Sequence, residues 1–349
     1  MFKLKQNNTT VRTELVAGIT TFMAMAYILM VNAGMFSTLG GDALGASYYN
    51  AVYIATAISA VFGTLLIGLL SNLPLAQASG MGLNAFFVYS VCIGMGFTYA
   101  NALVMVLVDG IVFLLLTVTG LRRLIFDAIP KAVKAAIAPG IGLFIAFLGL
   151  QNSGIVVNSD STLVDLHSFN IIFGHTTWAE IMPLLITIAA LIAIGAMSKK
   201  KIKGAGFWGI IGGAVLYYAL GLLTIDGFYA SNVQSKLSLN IIQPFRDFFN
   251  ISFGKVFTEG FNFSEYIAAN GVGSFAATFI ASMLAFCMVD MFDTLGTLYG
   301  ACSAGNLLDK DGNVPNMNKA MFADAAATCF GAVCGTPTVT TFVESSAGI

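Results

Sequence analysis

The stretch Cys287-Met-Val-Asp-Met-Phe-Asp-Thr-Leu-Gly-Thr-Leu-Tyr-Gly300 places two carboxylates, Asp290 and Asp293, inside a long apolar run. An ionisable group at membrane depth is costly, so it usually faces the interior of a helix bundle or an aqueous cavity. Another acid, Glu344, lies in Thr338-Val-Thr-Thr-Phe-Val-Glu-Ser-Ser-Ala-Gly348. We therefore predict that Asp293 and Glu344 form a polar site in the middle of a membrane protein.

The composition of the chain indicates its class. Of its 349 residues 57% are hydrophobic and only 9% are charged, whereas soluble domains carry about 25% charged residues. Because so few charges cannot cover a surface that faces water, we predict an all-α polytopic membrane protein. The net charge of −1 offers no basic face for nucleic acid. The five cysteines lack the spacing of metal ligands, so neither a metal nor a cofactor is expected.

Apolar runs that suit transmembrane helices recur along the whole chain. They cover residues 15–36, 50–70, 84–97, 101–121, 132–150, 179–197, 205–225, 268–300 and 320–335, and a further run starts near residue 338. This pattern predicts nine spans and the opening of a tenth. The first run has no small-residue cleavage site, so we interpret it as a retained span rather than a signal peptide.

The basic residues indicate the orientation of these spans. If the N-terminus is cytoplasmic, most of them fall in cytoplasmic segments, as the positive-inside rule requires. These are Lys3, Lys5, Arg12, Arg122, Arg123, Lys131, Lys134, Lys199, Lys200, Lys201, Lys203, Lys310 and Lys319. We predict a multi-pass protein in the lipid bilayer of the cell membrane, with its N-terminus in the cytoplasm.

Two segments interrupt the helical pattern. They are Leu73-Pro-Leu-Ala-Gln-Ala-Ser-Gly-Met-Gly-Leu-Asn84 and Cys334-Gly-Thr-Pro-Thr-Val-Thr-Thr-Phe-Val-Glu344, and each combines proline, a short β-prone stretch and a polar residue near a helix start. Irregular backbone is tolerated at membrane depth only where protein or a cavity satisfies it. A matched pair of such segments indicates the binding site of a transporter. The two segments fall at spans three and ten. Because these spans are seven apart, an odd number, the segments run in opposite directions, as an inverted repeat requires.

Several motifs along the chain carry a family resemblance. They are Phe2-Lys-Leu-Lys5 with Thr10-Val-Arg-Thr-Glu14, Gly18-Ile-Thr-Thr-Phe22, Ala26-Tyr-Ile28, Gly80-Met-Gly-Leu-Asn-Ala-Phe-Phe87, Gly140-Ile-Gly-Leu-Phe-Ile-Ala-Phe147, Phe292-Asp-Thr-Leu-Gly-Thr297 and Thr340-Thr-Phe-Val-Glu-Ser-Ser-Ala-Gly348. In this combination the chain resembles the AzgA-like guanine/hypoxanthine permeases of the nucleobase/ascorbate transporter superfamily. The resemblance covers essentially the whole chain.

The resemblance implies a fold of fourteen spans in two inverted seven-span repeats, divided into a core and a gate domain. Spans three and ten would each combine a short strand with a half-helix. The implied segments are a cytoplasmic arm at 1–14, the first repeat at 15–225, a long extracytoplasmic loop at 226–267 and part of the second repeat at 268–349. The chain is thus expected to be C-terminally truncated after about nine and a half spans. A homodimer through the gate domain is also expected.

The resemblance further implies the site residues. Asp293 matches the span-eight acid that binds the nucleobase, and Glu344 matches the span-ten acid. Asn84 and Gly82 match the polar start of the span-three half-helix, and the backbone around Val343 matches amides that reach the substrate. The implied function is the import of hypoxanthine, guanine and by extension adenine. The coupling protons would be carried by Glu344 or Asp293, since a buried carboxyl group holds a proton more readily.

Some residues and functions have alternative interpretations. Asp290, Asp109 and Asp324 are either site residues or contacts between helices, and His167 and His175 are interpreted as surface residues. The alternative function is a same-fold permease for a pyrimidine, xanthine or an anion, although the two acids would repel an anion. A channel is disfavoured because half-helices around a midplane site suit alternating access. An enzyme is disfavoured because no catalytic residues or membrane-embedded histidine are evident.

Overall fold

The computed structural model describes residues 9–120, 130–170, 176–200, 202, 204–230, 240–310 and 312–347. The first eight residues of the predicted arm, the basic residues of 121–129, His175 and part of the predicted long loop lie outside the described residues. The chain groups into two compact units, Met1–Ile141 with Ile241–Ile349 and Gly142–Asn240. This grouping concerns packing rather than internal repetition, so the predicted repeats stay a prediction.

The first unit starts with three helices in succession: α1 (Val11–Met25), α2 (Tyr27–Ser37) and the long α3 (Gly41–Ser71), with a 3₁₀ turn before α3. The side chain of Thr10 caps α1 by accepting a hydrogen bond from the Thr13 amide, which satisfies one of the donors that a helix start leaves open. Asn72 ends α3 in the left-handed conformation, as is common for the residue after a helix.

The first interrupted segment follows α3. It contains strand β1 (Gln77–Ser79) and helix α4 (Met81–Ala85), which continues with π-helical hydrogen bonds through Phe86–Gly94. Next comes α5 (Tyr99–Val118), and α6 (Lys131–Asn152) crosses the boundary between the two units. The irregular stretch and β1 are thus followed by a continuous helical segment, Met81–Gly94, as the sequence predicts for span three.

Besides the end of α6, the second unit contains the hairpin β2 (Val156–Ser159) and β3 (Leu163–Leu166) and the helices α7 (Trp178–Lys199) and α8 (Ala205–Thr224). A capping box between Thr177 and Glu180 begins α7. An apolar cluster in this unit includes Met182, Ile186 and Phe228.

The chain then returns to the first unit. The elements are α9 (Ile242–Asp247) with a π-helical extension Phe248–Ser252, α10 (Lys255–Thr258), α11 (Ser264–Ala304), α12 (Met317–Cys334), β4 (Val339–Thr341) and a 3₁₀ turn at Val343–Ala347. Helix α11 is kinked at Gly271, whose φ is 81°. The last strand and the 3₁₀ turn form the second interrupted segment.

The described helices agree with the apolar runs of the sequence. Within the described residues, each of the nine runs predicted as spans overlaps helical structure, the first run with both α1 and α2, and five helical stretches are long and apolar enough to cross a membrane. They are Val11–Ser71, Tyr99–Val118, Trp178–Lys199, Ala205–Thr224 and Ser264–Ser303. The prediction of a mostly helical chain is confirmed, and its apolar helices are consistent with a polytopic membrane protein, whereas the number of spans and the inverted repeat stay predictions.

The interior of the first unit holds many polar side chains among its apolar ones. One apolar cluster joins α3, α5, α11 and α12 through residues such as Ile67, Phe113 and Leu298. Beside it, fully buried polar residues lie on five different elements: Asn32, Thr56, Gln77, Thr294 and Asp324. A buried polar group is costly unless it is hydrogen-bonded, so the hydrogen bonds of these residues show which elements form the candidate site.

Candidate functional site

The two interrupted segments meet in a short antiparallel ladder. Gln77, Ala78 and Ser79 of β1 face Thr341, Thr340 and Val339 of β4, respectively. Two further backbone bonds extend the ladder, from the Gly80 amide to the Thr338 carbonyl and from the Phe342 amide to the Ala76 carbonyl, both at 3.0 Å. The irregular backbone thus satisfies itself away from water. The pairing also brings the start of α4 and the 3₁₀ turn at Val343–Ala347 to the same ladder.

Asp293 lies on α11 and faces this ladder. A methyl group added to Gly80 would lie 3.6 Å from Oδ2 of Asp293 and 2.8 Å from Cγ2 of Thr340. Glycine at this position therefore leaves room for the side chain of Thr340, and the Asp293 carboxylate lies within van der Waals distance of the start of α4. Asp324 and Glu344 both lie close enough to act on Asp293 electrostatically, so the two acids singled out in the sequence are brought into one region.

Glu344 lies at the start of the 3₁₀ turn and is half-buried. Its Oε1 accepts a hydrogen bond of 2.8 Å from the hydroxyl of Tyr27, at the start of α2. The sequence places Tyr27 in a family motif but gives it no role, because only the fold brings α2 beside the last segment. The neighbouring Val343 is 48% exposed, and its side chain approaches Gly300 of α11.

Asn84 and Gly82 lie in the first turns of α4. Gly82 is half-buried, and its amide is among the first four of the helix, which have no partner within the helix. Asn84 is fully buried: its Oδ1 accepts from Ser79 at 2.9 Å and its Nδ2 donates to Asn32 at 2.7 Å. An asparagine amide has a second N–H and a second lone pair, so these bonds leave capacity for a ligand.

Asp324 of α12 joins both strands to α11. Its Oδ1 accepts from the Gln77 side chain at 3.0 Å and from the Thr341 amide at 3.1 Å, and its Oδ2 accepts from the Thr294 hydroxyl at 2.5 Å. The interpretation of Asp324 as a contact between helices is therefore supported by its geometry. Since each bond crosses to a different element, the carboxylate holds the ladder against α11 and α12.

The other two intramembrane acids lie elsewhere in the first unit. Asp109 of α5 and Asp290 of α11 are both fully buried, and both lie close enough to the Cys329 thiol to act on it electrostatically. Helices α5 and α12 pack closely here, since a methyl group on Gly110 would lie 2.6 Å from the Cys329 sulfur. His167 lies in the second unit and is half-buried, with its Nδ1 at 2.9 Å from the Ser168 carbonyl oxygen.

Comparison with known proteins identifies the family. The model of the Permease family (Xan_ur_permease) matches residues 12–349. The protein MJ0326 of Methanocaldococcus jannaschii, which is described as a permease, is 38% identical over 348 residues, which are 100% of this chain and 70% of that protein. The guanine/hypoxanthine permease PbuO of Bacillus subtilis is 35% identical over 354 residues, 100% of this chain and 72% of the relative. The adenine permease AdeP of Escherichia coli is 31% identical over 349 residues, which are 100% of this chain and 69% of that protein.

The chain belongs to this Permease family, and the resemblance to guanine/hypoxanthine permeases is confirmed. Its members are transporters rather than enzymes, and together with the apolar helices the match identifies a multi-pass membrane protein.

Proposed function

We propose that this chain, as a member of the Permease family, imports purine nucleobases by proton symport, with hypoxanthine, guanine and by extension adenine as substrates. The observation that carries the proposal is the ladder of β1 and β4, beside which Asp293 and Glu344 lie. The names of the relatives PbuO and AdeP, a guanine/hypoxanthine and an adenine permease, support the substrate class.

The chemistry of a purine fits this set of groups. Guanine presents its N1–H and its exocyclic amine side by side, and two adjacent donors suit the two oxygens of a carboxylate. In this proposal Asp293 accepts these bonds, and Glu344 binds the base or couples the proton. The backbone amides of Gly82 and Val343, with the remaining capacity of Asn84, donate to O6 and the ring nitrogens.

Proton coupling follows from the charge of the substrate. Because a purine base is neutral, the membrane potential cannot concentrate it, so accumulation needs a coupled ion. Carboxyl groups buried among apolar helices are suited to take up and release a proton, and Asp293 and Glu344 are the two acids assigned here to the base. We assign the coupling proton to this pair.

The architecture proposed for this transport is a pair of inverted seven-span repeats with a core and a gate domain. The antiparallel pairing of the two interrupted segments supports it, because inverted repeats carry equivalent segments in opposite directions. In this arrangement the N-terminus is cytoplasmic, the protein lies in the cell membrane, and the gate domains form a homodimer. The segments 1–14, 15–225, 226–267 and 268–349 are the proposed arm, first repeat, extracytoplasmic loop and partial second repeat.

The test is the uptake of radiolabelled hypoxanthine by cells that lack their own purine carriers, expressing the complete open reading frame. We expect accumulation that excess guanine competes away and a protonophore collapses. Asp293→Asn should abolish uptake while the amount of protein in the membrane is unchanged. Glu265→Gln, at an exposed position at the start of the same helix, should transport as the wild type does.

Two results would contradict the proposal. Normal uptake by the Asp293→Asn variant would remove Asp293 from the site. Uptake of labelled uracil, xanthine or sulfate in place of hypoxanthine by the wild type would favour the alternative, a same-fold permease for another small solute.

A further inference from the structure

Four buried side chains form a closed ring of hydrogen bonds next to the ladder of β1 and β4. Asn84 Nδ2 donates to Asn32 Oδ1 at 2.7 Å, and Asn32 Nδ2 donates to Thr336 Oγ1 at 3.2 Å. Thr336 Oγ1 donates to Ser79 Oγ at 3.0 Å, and Ser79 Oγ donates to Asn84 Oδ1 at 2.9 Å. Each member donates once and accepts once around the ring. Chains of hydrogen bonds with a common direction strengthen one another in a medium of low dielectric.

The ring joins elements that are distant in the sequence. Asn32 lies on α2, Ser79 ends β1, Asn84 lies on α4, and Thr336 lies between α12 and β4. All four residues are buried, each at most 1% exposed. Asn32 is held in addition by Thr56 of α3, which accepts from its Nδ2 at 2.7 Å and itself donates to the Val52 carbonyl. The ring therefore ties both interrupted segments to α2 and α3.

The ring borders the proposed substrate site and shares Asn84 with it. Ser79 directly precedes Gly80, beside which Asp293 lies. Asn84 belongs to both, because the ring uses one of its N–H groups and one lone pair and leaves the others. Asn32 is as buried as Asn84, but its nitrogen donates to both Thr56 and Thr336 and its oxygen accepts from Asn84.

We propose that Asn32 is a positioning residue for substrate binding. Through the ring it fixes the amide of Asn84 and the start of α4 in one orientation, and it does so without touching the base. The inference rests on the proposed function, since it takes the ladder as the substrate site. A site whose groups are held before the ligand arrives loses less freedom on binding. Breaking hydrogen bonds of the ring therefore weakens substrate binding and lowers the selectivity between bases.

The first test compares two buried asparagines. Asn32→Ala should raise the KM for hypoxanthine about tenfold or more, because it leaves the amide of Asn84 without its partner. It should also change the ratio of the inhibition constants of guanine and adenine. The Vmax, normalised to the amount of protein in the membrane, should stay unchanged. Asn101→Ala removes an equally buried asparagine that donates to the carbonyls of Gly260 and Asn262. This control should leave the KM and the ratio unchanged, since Asn101 has no bond to the ring.

A second pair of variants separates the ring from general packing. Thr336→Val keeps the shape of the side chain and removes the hydroxyl that accepts from Asn32 and donates to Ser79. Thr336→Ser keeps the hydroxyl. The valine variant should show the same rise in KM as Asn32→Ala, and the serine variant should stay near the wild type. If Asn32→Ala does not reach the membrane, this pair decides the question.

Coupling and hydrogen exchange complete the test. The double variant Asn32→Ala/Asn84→Ala should be no worse than Asn84→Ala alone, because both remove the same ring. Exchange of the backbone amides of residues 79–85, which needs no substrate, should be faster in Asn32→Ala and unchanged in Asn101→Ala. An unchanged KM, selectivity and exchange rate in Thr336→Val, or effects of Asn32 and Asn84 that multiply, would overturn the inference. Wild-type protein that takes up no purine would instead contradict the proposed function, and the exchange result would still test the ring.

Discussion

The two interrupted segments share one design and differ in the polar residue that each presents. In the first, β1 leads into α4, and Asn84 is fully buried with its amide bonded to Ser79 and Asn32. In the second, β4 leads into the 3₁₀ turn, and Glu344 is half-buried with a bond from Tyr27. The polar residue of the first segment is therefore fixed by two side chains in the interior, whereas that of the second is a partly exposed carboxylate at the proposed site. We expect substitutions in the two segments to differ accordingly.

The largest effect is expected at the glycine that begins the second segment. Gly335 has a φ of 95°, and a methyl group there would lie 2.5 Å from Cβ of Ser252. Gly335→Ala combines strain in the left-handed region with a steric clash, so it should lower the free energy of unfolding by about 3 kcal/mol. The measurement is the midpoint of thermal aggregation of the detergent-solubilised protein.

Gly96, after the half-helix of the first segment, provides the matched control. Its φ is 82°, but nothing lies within 4 Å of an added methyl group. Gly96→Ala therefore introduces the strain alone, and about 1 kcal/mol is expected. Equal losses of stability in the two variants would mean that the contact of Gly335 with Ser252 has no importance for the second segment.

The next effect concerns the carboxylate of the second segment. Glu344→Gln keeps the size of the side chain but removes the negative charge and one acceptor oxygen. A hydrogen bond to a charged group contributes about 1.5–3 kcal/mol, so hypoxanthine uptake should fall by about tenfold to a hundredfold. The residual uptake should no longer respond to a protonophore if Glu344 carries the coupling proton.

The control for this prediction is another glutamate outside the ladder. Glu259 is exposed and pairs with Lys255 four residues before it. Glu259→Gln should leave uptake and its protonophore sensitivity unchanged. If Glu344→Gln accumulates hypoxanthine as the wild type does, Glu344 neither binds the base nor couples the proton.

The sequence predicted the elements better than their connections. Proline, glycine and β-prone residues around Ser79 and Thr340 indicate interrupted helices, and the strands form where the pattern predicts them. The partners of Asn84 and Glu344 could not be predicted, because Asn32 and Tyr27 are separated from them by 52 and 317 positions in the chain. A lone asparagine or tyrosine in an apolar span indicates a contact between helices, but its partner depends on the fold.

The smallest effect is expected for the hydrogen bond that holds Glu344. Tyr27→Phe removes the hydroxyl that donates to Oε1 of Glu344 and keeps the ring. A single hydrogen bond of this kind contributes about 0.5–1.5 kcal/mol, so the KM for hypoxanthine should rise about twofold to tenfold. The measurement is the concentration dependence of uptake, normalised to the protein in the membrane.

Tyr299 on α11 is the matched control, because its ring packs against the apolar cluster of α3, α5, α11 and α12. Tyr299→Phe should leave the KM unchanged. In the Glu344→Gln background, Tyr27→Phe should have no further effect, since the charged acceptor that it orients has been removed. A loss that persists in that background would mean that Tyr27 acts on the base directly, so that α2 would contribute a group of its own to the substrate site.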